Sequence, residues 1–477
     1  MSNLVSIVWF RNDLRLTHNP ALLAGTKAGS VLPIFILDDT VPEHYEIGGA
    51  SRYWLHRSLH ALNKSLGGHL QVFKGQPLDI LRSLCEQIGD AQVLWNRGYE
   101  PWQIARDVKI KQSLKDTNIP TQSFNSHLLW EPMSVLKKDG TPYKVFTPYY
   151  RKGCLQQPQP EYPIAAPEHI TYYSTVHSNR CIDDLALAPT INWHETMDKM
   201  WQPGEMGAKQ ALAEFIRNAA SAYQDQRNLP AVQGTSRLSP HLHFGEISPH
   251  QVWYAILDAF AGDIDNPHCD TYLSELGWRE FSHYLLFHFP HMTHDNFNSK
   301  FDVFAWEHNA AFLQAWQTGQ TGVPIVDAGM RELYQTGYMH NRVRMIVGSF
   351  LVKNLLIDWR HGERWFWDTL LDADLAANTS SWQWVAGTGA DAAPYFRIFN
   401  PILQGEKFDK QGEYVKRYCP ELRLLPPKYI HQPWAAPANI LEACKIKLGI
   451  DYPKPIVDLK QSRDKALAAF AKLKEAS

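Results

Sequence analysis

The stretch from Asn378 to Asp409, NTSSWQWVAGTGADAAPYFRIFNPILQGEKFD, puts an amide, two indoles and a run of small residues into one short segment. In a helix each residue turns ~100° from the last. Asn378 and Trp382, four apart, then share a face, while Trp384 lies ~200° round from Trp382. One turn thus offers an amide and an indole to one guest and a second indole to another. A second constellation is Glu275, Trp278, Arg279 and Ser282, at i, i+3, i+4 and i+7. It makes a polar-aromatic stripe where a core-facing helix would carry aliphatics. A carboxylate accepts from a nucleobase edge, an indole stacks and an Arg meets phosphate. A solvated face with an Arg–Glu pair fits the same spacing.

Three further segments carry donors and acceptors. Gly234-Thr235-Ser236-Arg237-Leu238-Ser239-Pro240 sets hydroxyls and a guanidinium just before a helical stretch, a pattern that suits phosphate oxygens and equally suits a plain N-cap. Met339-His340-Asn341-Arg342-Val343-Arg344-Met345 puts Asn341 and Met345 on one face and points Arg344 elsewhere, toward a carboxylate. Asp372 and Asp374 are candidates for that carboxylate, and in isolation such a pair more commonly caps a helix. The histidine pairs 241/243, 283/288 and 291/294 join no HExxH or Cys/His zinc spacing, so no metal site is expected. No GxSxG, GxGxxG or GxxxxGK[ST] is present either.

These residues need a scaffold. The first ~130 residues alternate apolar strands (Val5–Phe10, Val31–Leu37, Leu70–Phe73, Val93–Asn96, Thr121–Phe124) with helical stretches (Pro20–Lys27, Ser51–Leu66, Leu78–Ile88, Trp102–Lys115). That alternation predicts a mainly parallel, doubly wound sheet of the α/β class with helices on both faces. Residues 133–204, rich in Pro, Tyr, Gln and His, show no sustained period and read as a long connection ordered by its aromatics. From Glu205 the pattern is all-α, with helices expected at Met206–Arg217, Pro249–Phe260, Cys269–Leu286, Ala310–Thr318, Ile325–Gly337 and Asn341–Trp359. A last helix, Gln461–Glu475, is followed by no long tail.

The 477 residues, 44% hydrophobic and 20% charged, suit two or three domains with full cores. A net charge of −2 gives no global positive field for a polyanion and leaves only a local basic surface for nucleic acid. The six cysteines form no CxxC pair or regular spacing, so free thiols in a reducing compartment are expected. No signal peptide or transmembrane run is read, and a cytoplasmic protein is expected.

Taken in order, VWFRNDLRLTHNPAL, TSRLSPHLHFGEISP, ELGWREF, GYMHNRVRM and DLAANTSSWQWVAGTGADAAPYFRIFNPILQGEKFD resemble the photolyase/cryptochrome flavoprotein family over essentially the whole chain. The likeness is greatest to its bacterial cyclobutane-dimer branch of the class I/III type. The resemblance implies an α/β, Rossmann-like antenna domain at 1–132, an interdomain linker at 133–204 and a helical FAD- and lesion-binding domain at 205–477. It implies that Tyr223, Thr235, Ser236, Arg237, Leu238 and Ser239 hold the phosphates and ribityl chain of a folded FAD. Asp372, paired with Arg344, and Asp374 would lie by the isoalloxazine and its ribityl, and Asn378 would face flavin N5. Plant cryptochromes tend to carry Asp at that position and animal cryptochromes Cys; Asn is the photolyase-like choice.

By the same resemblance Trp382, Trp359 and Trp306 form the chain of tryptophans that reduces photoexcited flavin from the surface. Trp278 and Trp384 would flank a flipped pyrimidine dimer, with Glu275 and Asn341 hydrogen bonding to it, and Met345 matches the cyclobutane type. Arg279, Arg342, Arg397 and Gln404 complete the expected DNA contacts, and the segment through Phe396 the surrounding wall. Photolyases are among the enzymes known to extrude their target nucleotide from the duplex. The antenna site departs from some members: GYEPWQIARD carries Trp102-Gln103 where those members hold folate with an Asn-Glu pair. Methenyltetrahydrofolate at a tryptophan-lined site is the first expectation, and 8-hydroxy-5-deazaflavin the second. Light-driven repair of dimers by a monomeric DNA-binding enzyme, nucleoid-associated if bacterial, is expected over a cryptochrome-type receptor. Asn378, Trp278, Trp384, Met345 and the short C-terminus all favour repair. A flavin oxidoreductase lacks a nicotinamide site.

Overall fold

The computed structural model describes residues 4–392 and 397–475, so part of the expected wall, 393–396, lies outside the described residues. Five strands, β1 (Val5–Phe10), β2 (Ser30–Leu37), β3 (Gln71–Lys74), β4 (Ala91–Asn96) and β5 (Thr121–Phe124), form one sheet in the order β3-β2-β1-β4-β5. Every pairing is parallel, with Ile7 opposite Leu32 on one side of β1 and Val93 on the other. The central strand VSIVWF is buried at every position, as a parallel strand covered on both faces requires. The connecting helices are α1 (Pro20–Ala28), α2 (Gly49–Ser65), α3 (Pro77–Ile88) and α4 (Pro101–Asp116). Three of them start with Pro in the first turn, where a missing N–H costs nothing. The Asn19 side chain caps α1 by accepting from Leu22 N at 3.1 Å.

The 133–204 connection contains short helical pieces, among them Phe146–Pro148, which runs into a π-helical turn at Tyr149–Cys154, and Glu195–Met200. It is tied down by Tyr53 Oη donating to Asp198 Oδ1 at 2.7 Å and by Ser178 N donating to Gln71 Oε1 at 2.8 Å. Tyr172 also makes an isolated parallel bridge to Val31 of β2.

By compactness the chain falls into two units, Met1–Ser221 with Ser236–Pro290, and Ala222–Thr235 with His291–Ser477. The change of element type at 205 is therefore not where compactness divides the chain. The helices Glu205–Asn218, Pro249–Ala259 and Pro267–His288 belong with the sheet. Arg15 donates to Gly245 O at 2.8 Å, Trp54 Nε1 to the fully buried Glu246 at 3.0 Å, and Leu129 N to Glu280 at 2.9 Å.

The second unit packs helices around a core that includes Trp316, Met330, Val347, Leu351, Trp359, Phe366, Trp382 and Tyr414. Among the described residues no helix is long and apolar enough to cross a membrane. The expected helix Asn341–Trp359 is in fact two: Asn341–Ser349 passes into a π-helical turn, Phe350–Asn354, and a new helix runs Trp359–Thr369. Leu356 adopts a left-handed φ of 53°, and the Asp358 side chain caps the second helix by accepting from Arg360 N at 3.0 Å. Residues 345–357 are nearly all buried, so no polar face marked the break. Asp358→Ala should cost ~1 kcal/mol of stability by loss of this cap, measured by chemical denaturation; an unchanged midpoint would show that the cap is dispensable.

Candidate FAD and lesion site

Asp372 ends the turn before the helix Leu375–Ala386, and Arg344 projects from the helix Asn341–Ser349. They pair at 2.9 Å, the carboxylate side chain 4% exposed, and Arg344 Nε also donates to Met339 O at 2.7 Å. The other carboxylate oxygen, Asp372 Oδ1, is buried with no protein partner, which is costly unless a ligand supplies a donor. A flavin's ribityl hydroxyls and ring N–H are donors of that kind, so this site fits the expected cofactor. Asp374 makes a different use of its charge, capping Leu375–Ala386 by accepting from Ala377 N at 2.8 Å. The two readings left open for this acidic pair therefore divide between its members.

One turn into that helix, Asn378 is buried and donates from Nδ2 to the backbone carbonyl of Glu363 at 3.0 Å. The bond orients the amide and leaves its oxygen as an acceptor. Glu363, which the sequence reading missed, also takes a short hydrogen bond from the Thr379 hydroxyl. Burial pushes the Glu363 carboxyl up to about 7. Trp382, four residues on from Asn378, is buried, and its ring meets Phe366 at 5.0 Å and Trp316 at 6.1 Å. A Cβ on Gly362 would lie 2.1 Å from the Trp382 ring, so glycine there admits the indole. Trp359 is fully buried with Nε1 donating to Asn296 Oδ1 at 3.0 Å, while Trp306 is only partly buried against Phe304. All three expected tryptophans border one apolar cluster. Trp316, also in contact with Trp382, carried no signal beyond an apolar helical period.

Trp384 is half-buried on Leu375–Ala386, whereas Trp382 is buried, consistent with the helical phase. Asn341 is exposed at the first turn of Asn341–Ser349, and Met345, one turn on, is half-buried. Arg342 is held by Asn228 Oδ1 at 2.7 Å and lies over the Phe408 ring at 4.5 Å. Phe408 closes the helix Pro401–Phe408, which carries Gln404 half-buried, and Arg397 is exposed just before it. Tyr223 is buried at the head of the short helix Tyr223–Gln226.

In the sheet-bearing unit, Ser236 Oγ accepts from Tyr272 Oη at 3.0 Å, Arg237 takes a left-handed φ of 53°, and Leu238 is buried. The helix that follows, Ser239–His243, has only five residues and no side-chain cap bond. The expected helix start is thus one short turn, and Thr235 falls in the other unit. On Pro267–His288, Trp278 is 37% exposed and Glu275 half-buried, whereas Ser282 is buried and bonded to Trp278 O at 3.0 Å. Arg279, expected at the DNA, is engaged within the protein in this structure. Its guanidinium donates to His127 O at 2.8 Å and meets Glu280 at 3.4 Å, with 14% of the side chain exposed. It braces the 127–130 segment.

At the carboxyl ends of β1 and β4, where the strand order reverses and α/β sheets commonly take ligands, charged and aromatic side chains pair with one another. Arg11 pairs with Asp107 at 2.8 Å, and Arg106 bridges Asp38 at 3.0 Å and Asp107 at 3.0 Å. Arg106 also lies over the Trp9 and Trp102 rings at 4.8 and 4.9 Å, and Trp102 Nε1 donates to Glu100 at 2.6 Å. Of the histidine pairs noted in the sequence, His283 lies 3.3 Å from His127, ring nitrogen to ring nitrogen. His56 and His60, one turn apart on α2, both face Asp183 at the surface, a pairing that i, i+4 spacing could have revealed.

The family described as DNA photolyase matches residues 6–168, and the one described as FAD binding domain of DNA photolyase matches residues 272–472. A deoxyribodipyrimidine photo-lyase of Agrobacterium fabrum is 47% identical over 98% of both chains. Cryptochrome-1 of Arabidopsis thaliana is 37% identical over 98% of this chain and 70% of its own length. The crystal structure of a bacterial class III photolyase from Agrobacterium tumefaciens superposes with a TM-score of 0.95 at 46% identity, covering 100% of this chain and 98% of that one. With its parallel sheet, its photolyase-type FAD-binding domain and relatives of this similarity, the chain belongs to the DNA photolyase/cryptochrome family.

Proposed function

We propose that this protein repairs cyclobutane pyrimidine dimers in DNA by light-driven electron transfer from reduced FAD to a dimer flipped into its site. The orientation of Asn378 carries the reading. With Nδ2 held by the Glu363 carbonyl, its oxygen is left to accept from an N–H, which the reduced flavin carries at N5. Asp372, fixed by Arg344, takes a second cofactor donor on its unpartnered oxygen. Tyr223 and Thr235 through Ser239 hold the phosphates, and Asp374 keeps the Asn378 helix in place by capping it.

FAD, when bound and reduced, supplies under blue light the electron that weakens the cyclobutane bonds and that returns once they have opened. A dimer has no good leaving group, so the protein contributes positioning, water exclusion and electrostatics rather than acid–base cleavage. Trp278 and Trp384 stack on the flipped bases, Glu275 and Asn341 hydrogen bond to them, and Met345 lines the pocket. Trp306, Trp359 and Trp382 pass electrons inward from the surface; Trp306 is partly exposed, while Trp359 and Trp382 are buried. Arg397, Gln404 and Arg342 meet the DNA backbone, Arg342 within the limits set by Asn228. Functionally the chain divides as antenna domain 1–132, linker 133–204 and FAD- and lesion-binding domain 205–477. The antenna is methenyltetrahydrofolate at a tryptophan-lined site, with 8-hydroxy-5-deazaflavin the alternative that an absorption spectrum separates. The enzyme acts as a cytoplasmic monomer.

Illuminating the reduced protein with a dimer-containing oligonucleotide should restore thymine absorbance. Bound FAD that responds to light without repair would assign the chain to cryptochrome-type signalling instead. Trp384→Ala should cut the discrimination of damaged from intact DNA by ~1–3 kcal/mol if the indole stacks on the lesion; equal discrimination in both proteins would remove it from the pocket. Glu363 adds a pH dependence. Its folded pKa, about 7, lies above the ordinary carboxylate value, so its contribution to stability is present in acid and is lost as pH rises through neutrality. Urea unfolding of Glu363→Gln between pH 5 and 8 should therefore give a flatter stability profile than wild type, and an identical slope would show that the carboxyl is already ionised at pH 5.

A further inference from the structure

The 133–204 connection contributes a side chain to the site that no motif announced. Phe146 lies face to face on the Trp278 indole, with ring centroids 3.7 Å apart and planes 10° from parallel. Behind it Tyr150 continues the stack at 5.5 Å and 9°, and Phe281 closes edge-on against both Phe146 and Trp278 at 5.9 and 6.0 Å. The stack is anchored at both ends to the helix Pro267–His288 that carries Trp278. Tyr143 N donates to Tyr284 Oη at 2.9 Å, and Arg151 makes two bonds to Asp270 at 2.7 and 2.6 Å. Between these anchors Gly277 allows the close approach, since a Cβ there would meet the Tyr150 ring at 2.6 Å. Phe146 is 8% exposed and Tyr150 1%, while Trp278 keeps 37% of its surface in solvent.

We infer that Phe146 is a positioning residue for lesion recognition: it covers one face of Trp278 and sets the plane of the indole, so that the opposite face meets a flipped base without reorganising. An indole on a solvent-facing helix otherwise samples several rotamers, and fixing them is a cost paid on binding. An aromatic backing removes that cost beforehand, as a supporting shell does for a preorganised site. The inference rests on the stacking of Trp278 on the dimer, and the test separates the two ideas.

Affinities for a dimer-containing and an undamaged oligonucleotide are compared for wild type, Phe146→Ala, Phe146→Tyr, Trp278→Ala and the double variant Phe146→Ala/Trp278→Ala. FAD absorbance and melting temperature verify folding of each. Phe146→Ala should weaken dimer binding about two- to tenfold, the range of an aromatic pair, with affinity for undamaged DNA unchanged. Phe146→Tyr should restore binding. In the Trp278→Ala background the loss of Phe146 should have no further effect, because the two act as one unit. Additive losses, equal losses on both DNAs or no loss from Phe146→Ala would overturn the positioning role. Unchanged dimer binding in Trp278→Ala alone would overturn the stacking of Trp278 and the inference with it.

Discussion

The close approach of the helices Trp359–Thr369 and Leu375–Ala386 is the constraint on which the centre of the second unit depends. Three contacts enforce it. Gly362 leaves room for the Trp382 ring, the Asn378 amide donates to the Glu363 carbonyl, and the Thr379 hydroxyl bonds the Glu363 carboxyl. A backbone carbonyl inside a helix already serves its own ladder, so a side-chain amide on it needs a neighbouring helix at short range. Gly362, at the level of Trp382, provides that range. The same approach shields the Glu363 carboxyl and raises its pKa, so a group able to lose a proton near neutrality sits one residue from Gly362 and against Thr379, the neighbour of Asn378. Packing and electrostatics are thus one arrangement here.

Charge is placed with similar economy elsewhere. Arg344 and Asp372 satisfy each other only on one side, because the second carboxylate oxygen has no protein donor. An unpartnered buried acceptor costs ~1–3 kcal/mol, a cost that a bound donor removes, which ties ligand binding to the stability of the turn before Leu375–Ala386. The sheet does the opposite at the carboxyl ends of β1 and β4. There Arg11, Arg106, Asp38 and Asp107 satisfy one another around Trp9. A balanced network needs no ligand, while a half-satisfied pair does.

The periodic elements were legible. Val5–Phe10 and Thr121–Phe124 are strands with the expected bounds, the sheet is parallel, and the helices flanking it start within two residues of their apolar periods. The helical phase around Asn378, Trp382 and Trp384 was legible too, because rotation per residue is a local property. The break after Asn354 was not, since burial on every side erases the polar face that marks a helix's direction and end. Asp372 pairing with Arg344 could be suggested from residue type but needed the turn geometry to be distinguished from Asp374 as cap.

What escaped the sequence shares one physical cause. Arg279 lies on the same helical stripe as Trp278, and periodicity treats both as one face, yet Arg279 turns to the His127 carbonyl while Trp278 stays exposed. A helical period specifies the direction in which a Cβ leaves the backbone. It says nothing of what a long side chain finds four bonds later. Phe146, Glu363, Asn228 and Trp316 belong to the same class, each defined by a partner distant in sequence. Phe146 shows it most plainly: within an aperiodic connection it reads as one more aromatic, and only its parallel stack on Trp278 makes it part of a recognition surface. Residues that touch a ligand leave motifs because their chemistry is constrained, whereas residues that hold them in place are constrained by shape, and shape is visible only after the chain has folded.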